Sequence, residues 1–356
     1  MCYFCEVNIH EKYINRCIEL AKNGLGYTYP NPLVGSVIVL NDKIIGEGWH
    51  KKAGEPHAEV NAINSVKDKS LLKQAIIYVN LEPCSHYGKT PPCANLIVEN
   101  GIKKVVIGSV DTHSKVSGKG ILHLQNNGCD VIVGVLENEC LNLNKRFFTY
   151  HNKKRPFVIL KWAETQDGFI DKLRDEKSEN SPNWISNTYS QQFGHKMRAE
   201  EQAILVGTNT ALNDNPKLNA RNWFGLNPVR IVLDRSLKIP SHYNLYDGSV
   251  KTIVLTEKVP EKSPNKNTQF EQIDFNRNLL KQICDILYNH EIQSVIVEGG
   301  AQTLQTFIDE NLWDEAYVFV GNTKFENGIN APELKKAPNE IRKISDDTLN
   351  IYVNKF

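Results

Sequence analysis

The chain has 356 residues, a formal net charge of +1, 40% hydrophobic and 23% charged residues, enough for two domains that each bury a core. This near-neutral balance argues against the basic surface that a nucleic-acid binder needs, and no apolar run approaches the length of a membrane span. Met1-Cys2-Tyr3-Phe4-Cys5-Glu6 has no basic segment ahead of an apolar one, so no secretory signal is expected, and the eight scattered cysteines read as reduced thiols of a cytoplasmic protein.

Ile14, Cys17, Ile18 and Ala21 share one face of a helix over 8–22, with Asn8 and Glu11 as a capping box and Gly24 past its end. Tyr29-Pro30-Asn31-Pro32-Leu33-Val34-Gly35 is a rigid turn into a strand over 36–40, and Asn41-Asp42 folds it back into 43–49 as a hairpin. A helix over 57–63, led by Pro56, precedes a strand at 75–81 and a loop carrying Cys84. Pro91-Pro92 open a helix over 93–100 that Gly101 stops. A strand at 104–110, a helix at 118–127, a strand at 130–135 and a helix at 137–148 complete a first unit of residues 1–150. Strands alternating with helices predict an α/β domain with helices on both faces of a sheet.

The chemistry of this unit gathers in His57-Ala58-Glu59, Pro83-Cys84 and Thr90-Pro91-Pro92-Cys93. One His and two Cys are three good zinc ligands; structural zinc sites close with four, whereas catalytic sites keep the fourth position for water. Glu59 is the group that an open site needs, because zinc brings the pKa of its water towards neutrality and a nearby carboxylate then moves the proton. Cys93 at a helix start favours the thiolate that binds metal. His-x-Glu followed by Pro-Cys and a second Cys is the pattern of zinc deaminases, although the usual gap between the cysteines is two residues and here it is eight, Ser85 to Pro92. Cys2-x-x-Cys5 lacks any such partner ligands.

Lys153-Lys154-Arg155-Pro156 reads as the linker to a second unit of residues 151–356. A strand at 157–163, the turn Asp167-Gly168, a polar excursion at 172–181 read as a mobile loop, and a helix at 187–199 come first. Strands at 203–207, 229–234 and 252–256 and a helix at 276–289 follow. A strand at 294–297 then runs through Glu298-Gly299-Gly300-Ala301-Gln302-Thr303 into a helix at 304–310, with strands near 316–320 and 351–353 closing the unit. Strand, glycine pair and helix have the layout of a backbone phosphate cradle, and equally that of a tight turn. Taken singly, Lys161, Asp167, Arg198, Asp214 and Arg221 read as surface or capping residues, so the residues alone leave this half an α/β domain without an assigned purpose.

Read end to end, the chain resembles the bifunctional deaminase/reductase family of riboflavin biosynthesis. In the first half the resemblance is carried by Pro30-Asn31-Pro32-Leu33-Val34-Gly35, by Gly54-Glu55-Pro56-His57-Ala58-Glu59-Val60, and by residues 81–93, Leu-Glu-Pro-Cys-Ser-His-Tyr-Gly-Lys-Thr-Pro-Pro-Cys, whose eight-residue gap is the family's own. It implies a cytidine-deaminase-like three-layer α/β/α domain in which His57, Cys84 and Cys93 hold zinc, Glu59 shuttles the proton and Asn31 touches the pyrimidine. Lys89 is read as a contact for the substrate phosphate or, equally, as a solvated lysine.

In the second half Leu160-Lys161-Trp162-Ala163, Asp167-Gly168 and Glu298-Gly299-Gly300 carry the resemblance. It implies a dihydrofolate-reductase-like α/β domain that uses NADPH. Arg198, Leu218, Arg221 and Glu298 would face the substrate, the two arginines suiting its phosphate. Ala163, Trp184, Thr210, Asp214 and the run Gly300, Ala301, Gln302, Thr303, Leu304, Gln305 and Thr306 would line the cofactor. Lys161 is a further candidate for the reductase site. Pro182, where relatives often carry Ser, and Asn215, in place of the middle residue of Asp-Asp-Pro, depart from the family pattern. The expected function is deamination of a phosphorylated diaminopyrimidine riboside followed by reduction of its ribosyl group to ribityl, in a homo-oligomer. The alternatives are a deaminase whose second half no longer reduces, a nucleic-acid base deaminase, and a non-catalytic zinc module, which leaves Glu59 without a task.

Overall fold

Alternation along the central strands decides the layering of the first unit. The computed structural model describes residues 9–85, 91–111, 118–174 and 183–354, and the chain divides into two compact units, Met1–Lys153 and Lys154–Phe356. The first unit runs α1 (Ile9–Lys22), β1 (Gly35–Leu40), β2 (Lys43–Trp49), α2 (Ala58–Ser65), β3 (Ile76–Leu81), α3 (Cys93–Glu99), β4 (Lys104–Ser109), α4 (Lys119–Asn126), β5 (Asp130–Val133), α5 (Glu137–Leu143) and α6 (Lys145–Lys153). Its five-stranded sheet has the order β2-β1-β3-β4-β5, antiparallel across β2-β1-β3 and parallel across β3-β4-β5. Val37, Val39, Tyr78 and Val106 point to one face and pack on Tyr13, Ile14 and Cys17 of α1. Ile38, Ile77, Val79, Val105 and Ile107 point to the other and meet residues of α2, α3 and α4. The period of two in a strand therefore builds a sheet between two helical layers.

The hairpin turn takes Asn41 and Asp42 at φ 48° and 58°, the left-handed pair that short polar side chains tolerate and that matches strand twist. Gly35 opens β1 under α1 so closely that a Cβ there would stand 2.1 Å from the Cys17 carbonyl oxygen. The single helix expected over 137–148 is two, and its break has a cause. Asn144, between α5 and α6, turns its side chain inward, accepting from the Leu33 N–H at 2.7 Å and donating to the Leu33 carbonyl at 2.9 Å. Buried backbone polar groups need partners, and the clamp supplies both of them for a residue two positions after Asn31. Lys153, read as linker, ends α6.

The second unit contains β6 (Phe157–Glu164), β7 (Phe169–Asp171), α7 (Thr188–Glu200), β8 (Ala203–Val206), α8 (Thr208–Asp214), β9 (Val229–Leu233), β10 (Thr252–Thr256), β11 (Thr268–Gln272) and α9 (Leu279–Asn289). It continues with β12 (Ser294–Gly299), α10 (Ala301–Asp309), β13 (Glu315–Val320), β14 (Ile329–Asn330), β15 (Glu340–Ile344) and β16 (Asp347–Val353). Nine strands form one sheet, β11-β10-β9-β8-β12-β6-β13-β16-β15, parallel up to β13 and antiparallel beyond it. α9 and α10 cover one face through Ile283, Leu287, Leu304 and Phe307. On the other face Met197 of α7 and Ala211 of α8 enter two further clusters. Helix α10 starts three residues before the expected 304, directly after the glycine pair. The short α8 and the polar β11 carry too few apolar residues to announce themselves by periodicity. Among the described residues no helix is long and apolar enough to cross a membrane.

Removing the Asn144 amide leaves the Leu33 N–H buried without its partner. Asn144→Ala is expected to lower the stability of the first unit by about 1–3 kcal/mol, read as a shift in its urea midpoint. An unchanged midpoint would remove the clamp from this account.

Candidate active sites

Three segments bring the first site together. His57 is not inside a helix, as the spacing suggests, but the extended residue that precedes α2, while Glu59 stands in its first turn. Cys84 follows the end of β3, and Cys93 is the first residue of α3. The His57 Nδ1 lies 3.6 Å from the Cys84 sulfur and 3.3 Å from that of Cys93, and the Cys93 N–H donates to the Cys84 sulfur at 3.3 Å. The three ligand atoms fall within 4.8 Å of one another. Two thiols and an imidazole converging without a fourth His, Cys or carboxylate in the group are the donor set of an open zinc site, and the residues fit that ion. Of the coupled thiols, Cys84 is the one pulled down, by the hydrogen bond from Cys93 and then by His57, while Cys93 is pushed up; a bound cation deprotonates both.

Glu59 is 3% exposed, and its carboxyl is raised to about 7 by burial and then by the Cys84 charge, with His57 opposing. Across the site the Asn31 amide nitrogen stands 3.1 Å from His50 Nε2, and His50 Nδ1 is 3.1 Å from the Pro56 carbonyl. A carbonyl oxygen only accepts, so His50 carries its proton on Nδ1 and takes the Asn31 hydrogen bond on Nε2. Asn80, fully buried, accepts from the Gly35 N–H at 2.7 Å and donates to the Leu33 carbonyl at 3.0 Å, fixing the same segment that Asn144 clamps. Glu82 accepts from the backbone N–H groups of Asp111, Gly118, Gly120 and Ile121, tying the strand end before Cys84 to the start of α4. Sequence reasoning passes over His50, Asn80, Glu82 and Asn144, because Asn80, Glu82 and Asn144 act on backbone far away in the chain and His50 acts on the Asn31 side chain across a turn. Lys89 lies outside the described residues, as do Cys2, Cys5 and Pro182.

The second site is a cavity of about 890 Å³ in the second unit. Lys161, Arg198, Leu218, Arg221 and Glu298 line it. So do Ala163, Trp184, Thr210 and Asp214, together with Gly300, Ala301, Gln302, Thr303 and Thr306. Leu304 and Gln305 do not. The turn of α10 sends Leu304, 0% exposed, into the core, and Gln305 donates to Asp309 and accepts from the Glu333 N–H. Gly300 has φ +80°, and a Cβ on Gly299 would stand 2.8 Å from the Thr210 methyl. The glycine pair is thus a bare backbone edge at the N-terminus of a nine-residue helix, where an anionic dinucleotide such as NADPH fits.

At the polar end of this cavity the Arg198 guanidinium is paired. Its Nε and Nη2 donate to the Glu298 carboxylate at 2.9 and 2.5 Å, and its Nη1 to the Asn219 carbonyl at 3.3 Å. Lys161 Nζ stands 3.8 Å from the same carboxylate. Burial would raise the Glu298 carboxyl, but Arg198 and then Lys161 hold it down at about 2. Arg221 is exposed and donates to the Asn219 side-chain oxygen at 3.1 Å, which leaves most of its guanidinium to the cavity. Leu218 is 3% exposed and adopts φ 46°, a costly backbone for a branched residue. Asn215 sits at φ 42°, which Asn tolerates well, and accepts the Asn244 N–H at 2.8 Å, so the departure at this position keeps a working turn.

The Asp214 carboxylate accepts from Arg174 Nη2 at 2.7 Å, and Arg174 Nε also meets Asp171 at 3.0 Å. Of the excursion expected to be mobile, the described part, 172–174, is therefore anchored. Arg174, Asp171 and His195 line this site and Asn219 braces it, and sequence reasoning misses all four, since nothing in their local pattern marks them.

The description "Cytidine and deoxycytidylate deaminase zinc-binding region" matches residues 7–109, and "RibD C-terminal domain" matches residues 156–323. The riboflavin biosynthesis protein RibD of Aquifex aeolicus is 40% identical over 92% of this chain and 90% of its own length. That of Synechocystis is 38% identical over 90% and 86%. The solved deaminase/reductase of Thermotoga maritima, 38% identical, covers 98% of this chain and 99% of its own with a TM-score of 0.87. Zinc ligands around a buried glutamate in one unit and a glycine-edged cavity in the other agree with these likenesses, and the chain belongs to the RibD family of riboflavin biosynthesis, zinc-dependent deaminases joined to NADPH-dependent reductases.

Proposed function

We propose that the two sites act in sequence on one phosphorylated pyrimidine, the first replacing a ring amino group by oxygen and the second reducing the ribosyl group to ribityl. The observation that carries the first step is the buried Glu59 beside the converging His57, Cys84 and Cys93. Those three residues would hold zinc, which would supply the Lewis acidity that brings a water towards neutrality. Glu59, buried beside these three residues, passes a proton to the departing amine so that ammonia leaves. Asn31, turned by His50, orients the ring. The substrate class follows the printed activity of the Thermotoga maritima relative, a diaminohydroxyphosphoribosylaminopyrimidine deaminase and phosphoribosylaminouracil reductase.

In the second cavity the backbone edge at Gly300 and Ala301 would hold NADPH, which would supply the hydride for the anomeric carbon. Arg221 takes the substrate phosphate, because Arg198 is already occupied by Glu298. Lys161, kept close by Glu298, is the donor for the ring oxygen that opens. The working form is a cytoplasmic homo-oligomer.

Glu59→Gln is expected to retain one zinc per chain by elemental analysis while ammonia release falls about 10²–10⁴-fold. NADPH oxidation with the deaminated intermediate added directly stays at the parent rate. Ammonia release at the parent rate would discard Glu59 as the proton carrier. Cys93→Ala removes a ligand, and zinc content is expected to drop well below one per chain after dialysis against a chelator. Arg221→Met is expected to raise the KM for the intermediate about 10–100-fold, the worth of a charge-assisted hydrogen bond, with NADPH affinity unchanged. An unchanged KM would move the phosphate elsewhere.

A further inference from the structure

The polar end of the second cavity is crowded with donors. Lys161 and Arg221 bring only N–H groups, and Arg198 has turned its own to Glu298 and Asn219. Glu298 in turn accepts from Arg198 on both carboxylate oxygens. A sugar chain entering here carries hydroxyls that must donate as well as accept, and a buried hydroxyl hydrogen without an acceptor is costly.

His195, on α7, lines this cavity and is 5% exposed. Its Nδ1 is 2.9 Å from the Asn219 carbonyl, which can only accept, so the ring proton sits on Nδ1 and the bare lone pair on Nε2. No hydrogen bond among the described residues occupies that Nε2. Burial, with Arg198 and Arg221 beside it, pushes the ring down to about 4, so the neutral form is the one present at physiological pH. The same Asn219 carbonyl receives Arg198, and the Asn219 side chain receives Arg221. One residue therefore holds the histidine and both arginines in a common frame.

We propose that His195 is a substrate-binding residue of the reductase site, its Nε2 accepting a hydrogen bond from a hydroxyl of the sugar chain while the neighbouring cations hold the anionic part. Resting on the reductase assignment above, it adds a specificity element: an acceptor that rewards a ligand hydroxyl and gives nothing to a deoxygenated position.

Two substitutions separate this from a structural role, because they keep opposite halves of the imidazole. Asparagine at this position retains a donor for the Asn219 carbonyl and removes the acceptor at Nε2. Glutamine reaches the Nε2 position with an amide oxygen and gives up the Asn219 contact. His195→Asn is expected to raise the KM for the deaminated intermediate on the order of tenfold, with NADPH affinity and ammonia release unchanged, and His195→Gln to be clearly less impaired. A histidine that merely anchors Asn219 predicts the reverse order, and that order, equal losses, or an unchanged KM in His195→Asn would overturn the proposal. Ammonia release by the same protein reports folding of the first unit, and NADPH binding reports the second. A parent protein that oxidises no NADPH with the intermediate would overturn the reductase assignment and this inference together, whereas an active parent with an indifferent His195→Asn overturns the inference alone.

Discussion

At the end of β12 the Glu298 carboxylate is removed from water, and burial alone would strip it of its charge. It stays ionised because Arg198 meets it with two hydrogen bonds and Lys161 stands behind them. Much of the second cavity follows from this pairing. Arg198 is consumed by it and reaches on to Asn219, Asn219 positions Arg221 and His195, and the strained Leu218 lies next to it in the chain. Breaking a buried pair leaves an uncompensated charge, which is why such a cluster holds its geometry more strictly than surface ion pairs do.

The first unit solves the same problem in two other ways. Glu82 is buried and accepts from four backbone N–H groups, a structural tie between the strand before Cys84 and the start of α4. Glu59 is buried beside a thiolate-forming pair, and burial and then the Cys84 charge raise its carboxyl to about 7. These three buried carboxylates thus differ by their partners: one paired with arginine, one capped by backbone, and one set beside the converging thiols.

Distant polar side chains then give each site its precision. Asn80 and Asn144 hold both backbone groups of Leu33, and His50 turns the Asn31 amide through a proton placed by the Pro56 carbonyl. Gly299 lets the end of β12 approach α8 so closely that a Cβ there would collide with the Thr210 methyl. These contacts join residues as far apart as 33 and 144 in sequence, and they are what converts a ligand set into a site.

By itself the sequence determines the zinc triad, Glu59, the hairpin at Asn41-Asp42, and most strand and helix positions. These depend on local pattern: ligand spacing, helix starts at proline, alternation of period two, and glycines where the backbone must turn. Only the tertiary structure decides that Arg198 pairs with Glu298, that Leu304 and Gln305 leave the cavity wall, and that His195 and Arg174 belong to it. A side chain's partner is chosen by which buried charge or carbonyl the fold brings within 3 Å or so of it, and neighbours in space that are strangers in sequence leave no periodic trace.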